Sequence, residues 1–221
     1  MTQLNTAKIA LLTLLCATYS AADETTHYRL DAWSDNWFAA YIDGELLIED
    51  SVPITTERSF NAESIEFQAS KNFQFAFILK DFIENDTGLE YINTARQQMG
   101  DGGFIFQLTE LTTNQVVAVS NQQMRCQVIH KAPLDKACED SSNPQAGVGL
   151  CQFERSAEPE NWQLASFDDS HWPAATEHSV RAVSPKGGYN QIRWHDSATF
   201  VWGSDLEQDN TLLCRVSIAI D

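Results

Sequence analysis

The sequence predicts a mainly β protein: a single β-sandwich with one or two short helices and a long, disulfide-stapled loop. Two observations carry that expectation. Apolar residues alternate with polar ones in many short segments, the period of a strand with one face in a core. Turn residues punctuate those segments, whereas helical periodicity is confined to one stretch.

Residues 1–22 read as a secretory signal peptide. Lys8 gives a positive start, "IALLTLLCA" is apolar but too short to span a bilayer, and "SAA" places small residues before Asp23. A lipoprotein reading would use Cys16, but Leu15 is bulky where a small residue is required. Residues 23–221 then form the β-sandwich domain, with an irregular insertion at about 131–161 rich in Pro, Gly, Ser and charge.

"YRLDAW" and "WFAAYIDGELLIED" read as strands, the second broken at Asp43-Gly44. That dipeptide suits a two-residue hairpin turn, in which both central residues need positive φ. "SIEFQAS" follows, then "FQFAFILKDFI", apolar on both faces in its middle as a central strand is. "GDGGFIFQLTELTTNQVVAVS" reads as strand, turn, strand, and "ATFVWGSDL" and "NTLLCRVSIAID" as closing strands. "TGLEYINTARQQM", Thr87 to Met99, is the candidate helix.

The chain carries a net charge of −17. Cleavage would remove Lys8 and no acid, leaving the mature protein one unit more acidic. Such a field repels nucleic acid and anionic membranes and favours cations. No segment beyond the leader is apolar enough to cross a membrane. About 200 mature residues suffice for one hydrophobic core.

Of five cysteines, four remain after cleavage, and an even count in an exported chain points to two disulfides. Cys138 and Cys151 lie in the insertion, where a loop burying little needs a local staple. Cys126 and Cys214 flank strand-like segments. The expected pairs are therefore Cys138–Cys151 and Cys126–Cys214; the rival is Cys126–Cys138 with Cys151–Cys214.

Three stretches carry a resemblance. "WSDNWFAAYIDGELL", "WQLASFDDSHWPAA" and "FVWGSDLEQDNTLLCR" bracket residues 30–216. They resemble the hairpin, the "W…FDDS-x-W…A" stretch and the closing strands of galactose-binding-like jelly-roll domains. The resemblance implies a jelly-roll sandwich of the kind used by carbohydrate-binding modules, and it raises the expectation of a structural calcium ion. It fixes neither ligand nor activity.

Several residues invite a chemical reading. In "FDDSHW", Asp168, Asp169 and Ser170 can accept from free backbone N–H groups of a turn while Phe167 and Trp172 pin it to the core. The catalytic alternative makes Asp168 or Asp169 a general acid or base, which requires a second carboxylate at a defined separation. "DTG" at Asp86–Gly88 lacks the preceding apolar strand of an aspartic protease and reads as a surface turn. "GDGG", Gly100–Gly103, could place Asp101 on calcium or simply turn into the strand at Phe104. Trp37, Trp172 and Trp202 are expected in the core.

"GGYNQIRWHD" differs. Tyr189, Arg193, Trp194 and His195 form an amphipathic set in a Gly-opened segment, the aromatic face plus donors that a sugar-binding surface requires. A half-buried strand is the plain alternative. The five histidines, His27, His130, His171, His178 and His195, show no ligand spacing, and no nucleophile elbow, phosphate loop or dinucleotide fingerprint is present. The expectation is a secreted, periplasmic or cell-surface-associated binding module for glycan or another extracellular ligand, without catalysis or nucleic-acid partner. Its alternatives are a secreted calcium- or copper-binding protein and an acid/base hydrolase.

Overall fold

The computed structural model describes residues 25–220, so the signal peptide expected at 1–22, with Cys16, lies outside the described residues. The chain builds two six-stranded antiparallel sheets packed face to face, a β-sandwich, with a small two-stranded hairpin beside them.

The first sheet contains β1 (Thr26–Asp35), β4 (Ala62–Ala69), β8 (Gly103–Glu110), β9 (Gln115–Val119), β12 (Thr176–His178) and β13 (Phe200–Trp202). Its order is β12-β13-β8-β1-β4, with β9 also on β8. The second contains β2 (Trp37–Ile42), β3 (Glu45–Glu49), β5 (Asn72–Lys80), β10 (Arg125–Lys131), β11 (Glu154–Arg155) and β14 (Asp209–Ala219), in the order β11-β10-β14-β5-β2-β3. Asp43 and Gly44 join β2 to β3 with φ of 48° and 97°, as the turn chemistry requires.

Alternation in sequence becomes alternation in space. Tyr28, Leu30 and Ala32 of β1, Phe73, Phe75, Phe77 and Leu79 of β5, and Phe104, Phe106 and Leu108 of β8 all enter one core between the sheets. Phe77 and Phe106 stack across it, 5.2 Å between centroids. Each such ring fully removed from water contributes about 2 kcal/mol.

The opposite face of β5 is apolar for a separate reason. Ala76 and Ile78 lie under Trp162 and Trp172, which the segment after β11 folds over the outside of the second sheet. On the outside of the first sheet, Trp33 and Ile105 are covered by Val183, Tyr189 and Trp194. Among the described residues, helix is limited to α1 (Val180–Val183) and two 3-10 turns, Lys136–Asp140 and Tyr189–Gln191.

The expected helix at Thr87–Met99 does not form. Leu89–Glu90 (β6) pairs instead with Gln98–Met99 (β7), and Tyr91 and Asn93 adopt positive φ between them. The apolar positions fit a helical spacing, but Leu89, Ile92 and Met99 bury against Cys138 and Cys151, so tertiary packing sets the local conformation. Both expected disulfides are present, Cys126–Cys214 and Cys138–Cys151.

Candidate functional site

The "FDDSHW" loop is held by an arginine that the sequence did not single out. Arg215 of β14 points to the outside of the second sheet yet is 1% exposed. Its Nε donates to Asp169 Oδ2 at 2.7 Å, Nη1 donates to the carbonyls of Trp162 and Leu164, and Nη2 donates to that of Phe167 at 3.4 Å. Asp168 Oδ1 accepts from Ser170 N at 3.0 Å, and the hydrogen bonds from Ser170 hold its carboxyl below the usual range. Phe167 and Trp172 meet edge to face at 5.5 Å. Both aspartates thus have structural partners.

Asp86 of "DTG" sits in a turn closed by Thr87 N to Asn85 Oδ1 and by Gly88 N to Asn85 O. Its carboxylate pairs with Arg155 and faces His130 Nε2 at 3.4 Å. Burial, with Arg155 second, lowers the pKa of His130, whose Nδ1 lies 3.1 Å from Asn210 Oδ1. Asp101 accepts from Lys186 Nζ at 2.9 Å. Among the described residues, no group of three or more His, Cys, Asp or Glu is arranged to hold a metal ion.

Of the four residues expected to bind ligand, the structure puts Tyr189 and Trp194 in one aromatic stack, 5.8 Å between centroids and 20° apart. Tyr189 is committed to support: it also packs on Trp33 and Phe200, and Trp194 Nε1 donates to its carbonyl. Arg193 and His195 flank Trp194 and are exposed. Trp194, His195 and Asp196 separate two neighbouring cavities. One, of about 350 Å³, reaches Ile105 and His178; the other, of about 210 Å³, reaches Gln107, Val116 and Arg193.

A polar row across the first sheet positions this segment. Ser64, Asp31 and Gln107 are in register on adjacent strands β4, β1 and β8. Ser64 Oγ and Gln107 Nε2 donate to Asp31, and Gln107 Oε1 accepts from His195 N at 2.8 Å while its Nε2 reaches Arg193 O at 3.4 Å. Sequence reasoning missed Gln107, Asp31 and Asp196. The available signal was polar residues interrupting "GFIFQLTE" and "YRLDAW".

A second polar cluster gathers at the ends of β1 and β5 and on β6. Asp35, Asp81 and Glu90 are all at least 96% buried, with Asp101 beside them. Burial raises Asp35 and Glu90 to about 7, and burial together with Asp35, Glu90 and Asp101 raises Asp81 well above its ordinary value. Lys186 Nζ lies 3.5 Å from Asp35 Oδ2, an ion-pair distance longer than a normal hydrogen bond. Burial opposes the charge on Lys186, but Asp35 and Asp101 outweigh it and raise its pKa. These carboxyls sit behind a cavity wall to which Lys186 and Gln98 belong.

Compared with models of known protein families, with curated proteins and with solved structures, the chain matches nothing.

Proposed function

We propose that this chain is an exported, non-catalytic binding module of galactose-binding-like type, and that it binds glycan beside Trp194. The observation that carries the reading is the placement of one indole. Trp194 is backed by Tyr189 and divides two cavities edged by Arg193, His195, Asp196 and Gln107. A sugar ring presents an apolar face and a rim of hydroxyls, which such a wall and such donors match. The polar row beneath holds the segment on rigid strands, so little ordering is needed on binding.

The hydrolase alternative has less support. The raised carboxyls of Asp35, Asp81 and Glu90 are buried behind a cavity wall, out of reach of a glycosidic bond. A glycan array, run with and without calcium, tests the proposal. Binding lost in Trp194→Ala with the β-sheet circular dichroism retained is the expected result; an array with no binding in either condition overturns it.

A further inference from the structure

We propose a second ligand site between Phe60 and Tyr91, one that takes a six-membered ring bearing a carboxylate. Three segments distant in sequence meet there around a cavity of about 720 Å³, within the usual size of ligand pockets. The site is separate from the Trp194 segment and does not depend on it.

The first argument is charge. Arg58, Arg96 and Lys186 line this one cavity, three of the 14 Lys and Arg in a chain of net charge −17, against a single acid, Glu57. Glu57 is already engaged: it accepts from the Tyr91 hydroxyl and from Arg58 Nε. Lys186 likewise has Asp101 at 2.9 Å, so among the described residues Arg96 is the cation of this wall that no carboxylate pairs with.

The second argument is shape. The Arg96 guanidinium lies 4.0 Å from the Tyr91 ring centroid, which uses its face and leaves its N–H edge for a carboxylate. Tyr91 holds φ of 51°, a conformation unusual for a large side chain and one that commonly accompanies binding sites. Phe60, lining the same cavity, packs against Trp33 at 6.3 Å. Trp33 Nε1 donates to Gly187 O at 2.8 Å and fixes the strap that carries Lys186. The rings of Phe60 and Tyr91 receive a flat or puckered ring, and Arg96 receives its acid.

A uronic-acid residue of an acidic glycan and a free aromatic carboxylate share this chemistry. Calorimetric titration of the oxidised mature chain with trigalacturonate, neutral galactotriose and 4-hydroxybenzoate separates them. We expect at least one of the two carboxylates to bind, with the neutral sugar at least about tenfold weaker at this site. Binding of trigalacturonate alone assigns an acidic glycan, and binding of the benzoate alone a free aromatic acid; either supports the site. Arg58 and Arg96 are exposed, so the double variant Arg58→Ala/Arg96→Ala should keep its thermal midpoint while losing about tenfold or more in affinity. Trp194→Ala should leave this binding unchanged, which distinguishes the site from the glycan site proposed above. The inference is overturned if neither carboxylate binds, if the double variant binds as well as the parent, or if Trp194→Ala removes the binding.

Discussion

Asp169 and Arg215 form an ion pair at 2.7 Å that ties the tryptophan-bearing loop to the last strand. The guanidinium is buried and its other donors go to loop carbonyls, so among the described residues Asp169 supplies its only carboxylate partner. Removing one member of a buried pair leaves the other charge uncompensated. Asp169→Ala should therefore cost about 2 kcal/mol, less than a fully enclosed pair because Asp169 is partly exposed and three carbonyls still hold the arginine. Glycan affinity should change little. Urea unfolding with the disulfides intact measures the first quantity and titration the second; a loss of affinity without a loss of stability would give Asp169 a role in binding.

The buried acids set the direction of pH dependence. Asp35 and Glu90 are raised to about 7 and Asp81 well above its ordinary value, with Asp101 and Lys186 facing them. A carboxyl whose folded pKa lies above its unfolded value contributes stability fully present below about pH 4 and lost as pH rises through the folded pKa. His130 works oppositely, because its lowered pKa makes protonation below about pH 6.5 favour the unfolded chain. Asp81→Asn should accordingly raise the thermal midpoint at pH 8 and do much less at pH 4. Calorimetry at the two pH values checks this; an Asn variant less stable than the parent at pH 8 contradicts it.

The strands were legible because a half-buried strand writes its period directly into the sequence, as β4 does. The Asp43-Gly44 turn was legible because few residues tolerate its backbone, and the Cys138–Cys151 pair because a loop that buries little needs a local link. The 87–99 hairpin was not. Its fold depends on Leu89 and Met99 packing beneath a disulfide loop some 40 residues away, and helical spacing carries no record of that. The same limit hid Gln107 and Arg215, whose partners come from strand register and from a loop crossing the opposite sheet. The Phe60–Tyr91 cavity assembles from three separated segments and leaves no local motif.

Gly88 marks where the hairpin approaches the chain leading into the insertion. Its φ is 75°, and a Cβ there would lie 2.0 Å from Ala132 O and 2.3 Å from Ala132 C. Both obstacles are backbone, so no side-chain rotation relieves them. Gly88→Ala should destabilise the protein by about 3 kcal/mol, combining the unfavourable φ with a forced separation of the two segments. The urea midpoint measures it, and a shift equivalent to less than about 0.5 kcal/mol would show that the approach is not required.

The two disulfides should differ in the reach of their effects. Cys126–Cys214 joins β10 to β14 inside the main core, whereas Cys138–Cys151 closes a loop whose buried contacts are Leu89, Ile92 and Met99. That loop is also fastened to the hairpin by Gln97 Nε2, which donates to the carbonyls of Glu139 at 2.6 Å and Ser141 at 2.8 Å. With a sequence separation of 13, the Cys138–Cys151 link is worth on the order of 3 kcal/mol in the chain-entropy model. Its loss in Cys138→Ser/Cys151→Ser should first be felt where its contacts are. Hydrogen exchange should therefore accelerate in residues 89–99 and 136–151 while β5 and β14 keep their protection. Cys126→Ser/Cys214→Ser should instead weaken protection across both strands. Equal acceleration throughout the sandwich in the first variant would mean that the stapled loop and the core unfold as one unit.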